Sequence, residues 1–287
     1  MATSPQIANL AERRTAAAPS PVLVVDDIVK RFATPEGEVT AVDHMSFTVR
    51  AGEFLAVIGP SGCGKSTLFN IIGGLLDGYD GSVAVAGETI RGPHPSIGMV
   101  FQEESTFPWR TVIENVAFPL EIAGIAKAPR FERAKHFIDL VGLTGFERRY
   151  PSELSGGMRQ RVAIARTLAS EPKILLMDEP FGALDEQTRL LLGDKVLQIQ
   201  DRLKQTCLLI THNITEAVQL ADRVLVMTYR PGRMKRLVPI ELPRPRSSEI
   251  VSSEAFGHYV AQIWGDLREE ASRGMRDDEQ HRAELKP

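Results

Sequence analysis

The chain has 287 residues, 43% hydrophobic and 25% charged, enough for one large or two small domains with a real apolar core. A net charge of −3 supplies no basic field toward nucleic acid or an anionic membrane, so no nucleic-acid partner is expected. The two cysteines make no disulfide framework, and no apolar run approaches the roughly 20 residues that span a bilayer, so work at a membrane would need a partner there.

Residues 1–20 are rich in Ala, Ser, Pro and charge, contain no continuous apolar stretch of the secretion-signal kind, and read as a flexible tail. From Val22, short β-branched and apolar runs (VLVVDDIVKRF, TAVDHMSFTV, FLAVI, SVAVAG) separated by Gly, Pro and acidic turns predict a mainly antiparallel β region. FLAVI delivers GPSGCGKST, and Thr67–Leu76 then has helical composition up to a Gly-Gly break. Residues from about Thr111 to Leu168 read as a helical insertion with breaks at Pro119, Gly142 and Pro151. Lys173–Met177 and Cys207–Ile210 are continuous apolar runs, the pattern of strands buried on both faces, with a helix-like stretch between them. Beyond Ser247, Phe256, Tyr259, Val260, Ile263 and Leu267 recur at helical spacing behind Ser253, a candidate N-cap. Such a face packs on its own domain or serves a regulatory or dimer contact, and the last twelve residues read as disordered.

Gly59, Pro60, Ser61, Gly62, Cys63, Gly64, Lys65, Ser66 and Thr67 form a loop whose glycines tolerate the backbone angles needed to wrap N–H groups around phosphates. Lys65 reaches the β and γ phosphates of such a ligand and Ser66 supplies a hydroxyl to Mg²⁺. Cys63 lies where phosphates pass, so a thiol reagent should inhibit and ATP should protect. Asp178 ends an apolar strand and can face the metal, and Glu179 can take a proton from water; the bland reading of this acidic pair is a solvated turn.

LSGGMRQR at Leu154–Arg161, followed by ILLMDEP, by ALD at Ala183–Asp185 and by His212 after the next strand, resembles the ATP-binding subunits of ABC transporters over roughly Val22–Arg246. The resemblance implies an α/β fold, a P-loop NTPase with a RecA-like mixed sheet core, an antiparallel β subdomain and a helical subdomain over about 103–168. The ATP-binding domain would span 21–246, with a helical extension and tail over 247–287. It further implies a head-to-tail pair of copies in which ATP lies between the phosphate loop of one and Ser155, Gly156 and Gly157 of the other. Those three residues open an apparent helix and can offer a hydroxyl, free amides and the positive dipole end; Ser155 can also simply cap that helix. The same likeness gives Gln102 a contact with Mg²⁺ and water, His212 a contact with the γ-phosphate, Asp185 a place at the dimer seam, and Phe32 a stacking role on adenine. Phe32 reads equally as core, and Gln102 as an ordinary polar strand end.

Phe107, Pro108 and Trp109, just past Gln102, form an aromatic patch suited to a short helix of an integral membrane permease, or alternatively core of the insertion. The stretch Met227–Arg246 resembles the branch serving nitrate, sulfonate and taurine import, with cargo chosen by a separate solute-binding protein. The chain would then act at the cytoplasmic face of the membrane. Two alternatives stay open: a soluble ABC ATPase acting on nucleic acid or ribosomes, and a GTPase or small-molecule kinase that shares only the phosphate loop.

Overall fold

The computed structural model describes residues 21–284, apart from 36, 103 and 104, and side chains as far as 276. The tail expected over residues 1–20 lies outside the described residues. Two long strands, β1 (Pro21–Thr34) and β2 (Gly37–Arg50), pair antiparallel, and β1 also pairs with β4 (Asp80–Val85), beside the short β5 (Glu88–Thr89). This four-stranded sheet has the order β2-β1-β4-β5.

The second sheet has six strands in the order β10-β9-β3-β8-β7-β6. It comprises β3 (Phe54–Ile58), β6 (Ile97–Val100), β7 (Ile174–Asp178), β8 (Thr206–Thr211), β9 (Arg223–Met227) and β10 (Met234–Pro239). Every pairing is parallel except β9 with β10. Apolar side chains on β3 alternate between two cores: Phe54, Ala56 and Ile58 join one cluster, Leu55 and Val57 the other. That period of two, with both faces covered, is why these strands are continuously apolar. Each fully buried Leu, Ile or Val contributes about 1.5–3 kcal/mol.

Helix α1 (Lys65–Ile72) follows β3 and starts two residues earlier than the composition suggests. The helical insertion holds α2 (Val112–Ile122), α3 (Lys127–Leu140) and α4 (Gly156–Leu168). Pro119 does not break this segment: it lies inside α2, and the chain turns instead at Gly124, with φ of 74°. Glu114 accepts from the Thr111 amide at 2.9 Å, and Val112, Val116, Ala117 and Leu120 are buried, so capping and packing outweigh the bond that proline forfeits. Helix α5 (Glu186–Leu203) connects β7 to β8 as a βαβ unit, and α6 (Ile214–Leu220) follows β8.

The last described element is α7 (Glu254–Glu284), which continues into the segment expected to be disordered. Ser253 Oγ accepts from the Phe256 amide at 3.3 Å, as an N-cap does. Phe256 and Ile263 are buried against the core, with Tyr259, Val260 and Leu267 packed beside them, so the apolar face covers its own domain.

Candidate functional site

Strand order sets the site. Because β3, β8, β7 and β6 are neighbours and parallel, their carboxyl ends bring Gly59, His212, Asp178–Glu179 and Gln102 to one edge of the sheet. Ligands of open parallel sheets bind at this edge.

Gly62 and Gly64 have φ of 72° and 99°, where a side chain would be strained, and a Cβ on Gly64 would lie 2.5 Å from the Ala41 carbonyl of β2. The loop therefore winds tightly into α1, whose first turn holds no acidic residue. The first amides of that helix open onto a concavity of about 300 Å³ lined by Ala41, Ser61, Gly62, Gly64, Lys65, Ser66, Thr67 and Glu179. Lys65 is buried, and its Nζ donates to the Gly59 and Pro60 carbonyls, each at 2.9 Å. Cys63 departs from expectation. Its backbone belongs to the loop, but its side chain is 0% exposed within the apolar core beneath, and burial pushes its thiol above the usual range despite nearby Lys65. A reagent cannot reach it from the phosphate side.

At the end of β7, burial foremost, and then repulsion from Glu179, raise the Asp178 pKa; a hydrogen bond with Ser66 and the Lys65 charge oppose them. Two repelling carboxylates beside a hydroxyl suit a divalent cation, so the residues present fit Mg²⁺. Among the described residues no three His, Cys, Asp or Glu side chains converge on a metal position, so phosphate oxygens and water would complete the shell. Glu179 adopts φ of 42°, its amide donating to Ile210 at 2.8 Å, and this turn aims its carboxylate along the sheet edge. His212 Nδ1 lies 2.9 Å from Glu179 Oε2, and the Gln102 amide donates to the same oxygen at 3.4 Å. The Glu179 carboxylate thus gathers two of the other expected residues, His212 and Gln102.

Ser155 is the N-cap of α4, its Oγ accepting from Met158 at 3.3 Å. A Cβ on Gly157 would lie 3.0 Å from Thr188 of α5. Ser155 and Gly157 line a separate concavity of about 460 Å³ with Gly142, Arg161, Thr188 and Lys195, which shares no residue with the phosphate-loop concavity. Asp185 caps α5, accepting from Thr188 at 2.9 Å, and that bond holds its carboxyl below the usual range. Phe32 is exposed on β1 opposite Val39, two residues before Ala41, with Lys30 Nζ 5.0 Å above its ring, so it is not core. Trp109 is 72% exposed, with its ring tilted against Phe107 at 5.6 Å, and Phe107 in turn meets Phe118 edge-to-face at 4.7 Å.

The family model for ABC transporters matches residues 42–182. A nitrate import ATP-binding protein of Synechocystis is 47% identical over 252 residues, 86% of this chain and 95% of that protein. An aliphatic sulfonates import ATP-binding protein of Bacillus licheniformis is 48% identical over 219 residues, 76% of this chain and 84% of that one.

This chain belongs to the ABC transporter ATP-binding family.

A solved dimeric cassette of that family, in a post-hydrolysis state with ADP and Pi, is 30% identical with a TM-score of 0.67 and covers 77% of this chain and all of its own. The ABC cassette described here is an ATPase, which removes the GTPase and small-molecule kinase alternatives. No helix among its described residues is long and apolar enough to cross a membrane.

Sequence reasoning missed three parts of this ABC site. Arg189 ties the loop before Asp185, donating to Leu184 and Phe181 carbonyls at 2.9 and 3.4 Å. Glu216 is buried under the His212 turn, where it accepts from the Thr211 hydroxyl and leaves Oε1 without a partner. Arg230 reaches the phosphate loop itself, its Nε donating to the Gly62 carbonyl at 3.1 Å. Arg189 follows helix spacing from Asp185, a findable signal; the other two carry none.

Proposed function

We propose that this cassette energises a bacterial importer for a small nutrient of the nitrate, sulfonate or taurine kind, working as a head-to-tail pair of copies on the cytoplasmic side of a membrane permease. The observation that carries the reading is the separation of two phosphate-binding elements within one chain, the Lys65 loop and the Ser155 helix end lying in different concavities. Each copy supplies half of two pockets, so ATP joins two copies and hydrolysis releases them.

In this reading Ser66, Asp178 and Gln102 would hold Mg²⁺, whose charge draws off negative charge from the transferring phosphoryl group. Lys65 and the loop amides hold the β and γ phosphates. Glu179 takes the proton of the attacking water while His212, 2.9 Å from it, holds that water against the γ-phosphate. Phe32 stacks on adenine, and Asp185 lies at the seam between copies. The exposed Trp109 and the half-buried Phe107, seven and five residues past Gln102, form the permease contact. The relatives' import roles and this patch support transport over the soluble nucleic-acid or ribosome alternative.

The test is reconstitution with the permease and candidate solute-binding proteins. One loaded binding protein should stimulate ATP hydrolysis, and Trp109→Ala should remove the stimulation while the isolated chain hydrolyses ATP as before. Stimulation that survives Trp109→Ala would place the permease contact elsewhere.

A further inference from the structure

The turn after β9, residues 228–233, touches the phosphate loop on one side and α7 on the other. Toward the loop, Arg230 Nε donates to the Gly62 carbonyl at 3.1 Å, and its guanidinium covers Gly62 so closely that a Cβ there would lie 2.7 Å from Nη2. Gly232 is buried beside it: its amide donates to the Ala41 carbonyl and its carbonyl accepts from Asp43, both at 3.0 Å. A Cβ at Gly232 would overlap the Cys63 carbonyl, 2.2 Å away. The turn is thus wedged between β2 and the loop, against the backbone of residues 62 and 63.

Toward α7, the Tyr229 amide donates to Glu270 Oε2 at 3.0 Å. Glu270 is 1% exposed, and its other oxygen pairs with Lys235 of β10 at 2.9 Å. Those partners hold the carboxyl below its usual range against the opposing effect of burial. One turn further along α7, Gly274 lets the helix backbone lie on the Tyr229 ring, where a Cβ would come within 2.7 Å. Adjacent residues 229 and 230 therefore join α7 to the phosphate loop.

We infer that Arg230 is a positioning residue of the phosphate loop, and that Glu270 of α7 sets its place through Tyr229, so that the C-terminal helix tunes the cassette's affinity for nucleotide. Gly62 lies in the stretch whose amides must face phosphate, and its peptide has one acceptor that Arg230 fixes. An anchored carbonyl holds the peptide in one orientation before the ligand arrives, which lowers the ordering cost of binding. Loss of the anchor acts on binding more than on the chemical step, because Glu179 and His212 stand on other strands.

Variants of the full chain test this by calorimetric titration with ADP and Mg²⁺ and by steady-state ATP hydrolysis. Arg230→Ala, an exposed change, should raise the ADP dissociation constant and the KM for ATP about fivefold, the scale of one ordinary net hydrogen bond, with a smaller change in kcat. Glu270→Ala should reproduce that shift. Glu270→Gln, which keeps an acceptor for the Tyr229 amide, should restore most of the affinity. The double variant Arg230→Ala with Glu270→Ala should bind no more weakly than Arg230→Ala alone, because the two act in series. Arg236→Ala, which removes the 3.2 Å pairing with Asp266 of α7 but nothing leading to the turn, should bind as the parent does. Unchanged affinity in Arg230→Ala overturns the proposal outright. Additive losses in the double variant, or an equal loss in Arg236→Ala, overturn the link to α7. Should Glu270→Ala fail to fold, Arg230→Ala and Glu270→Gln still decide: equal weakening in Glu270→Gln contradicts the amide anchor.

Discussion

Nδ1 of His212 sits 2.9 Å from Oε2 of Glu179, across the boundary between β8 and β7. A water held by this pair meets a proton acceptor and an orienting ring nitrogen together. Glu179→Gln keeps the shape and loses the base, so turnover should fall about 10²–10⁴-fold with nucleotide still bound. His212→Ala should lose turnover too, and the double variant should be no slower than Glu179→Gln, because in the proposed mechanism both residues act on one water. Phosphate release measured beside nucleotide binding checks this; additive losses would separate the two roles.

Cys63 should be inert in the folded cassette. It is 0% exposed and burial raises its thiol pKa, while Cys207 is pushed up by burial as well. Iodoacetamide at pH 7.5 should leave hydrolysis intact and label both cysteines only after denaturation. Rapid labelling of Cys63 that ATP prevents would restore the phosphate-facing orientation expected from sequence.

Glu216 makes stability fall as pH rises. Burial pushes its carboxyl up to about 7 from a usual 4.5, with Glu179 and Glu186 adding repulsion and the Thr211 hydroxyl and Arg189 opposing. A raised folded-state pKa means the folded protein holds a proton that the unfolded chain has released. The stabilisation is therefore complete below about pH 4.5 and is lost as pH passes through about 7. Glu216→Gln mimics the protonated form. It should match the parent's stability at pH 4 and exceed it at pH 8, by about 1–3 kcal/mol. Equal melting at both values would show Glu216 to be charged and solvated.

The sequence made the sheet and much of the site legible because both are local in the chain. FLAVI, Ile174–Met177 and Cys207–Ile210 are apolar throughout since each strand is covered on both faces; Gly59 and Asp178 follow the first two directly, and His212 follows the third one residue on. Side-chain direction was less legible. Cys63 is fixed in the loop, but the positive φ of Gly62 and Gly64 turns its thiol inward, which no spacing rule reports. Pro119 misled because propensity is local while the packing of Val116 and Leu120 is not. The RPGR turn lies in the stretch whose sequence resembles the importer branch, and nothing in it signals the loop contact, since Arg230 meets Gly62 across 168 residues of chain. Glu216 reads as an ordinary acidic helix residue until α6 is seen to bury it.

The central claim, ATP joining two copies through Lys65 of one and Ser155 of the other, is tested most directly by sedimentation of the Glu179→Gln chain with ATP and Mg²⁺. The account predicts a dimer that forms with ATP and dissociates with ADP. Adding Ser155→Arg should leave nucleotide bound and the chain monomeric. A Glu179→Gln chain that binds ATP fully yet stays monomeric, or a dimer that survives Ser155→Arg, would contradict it.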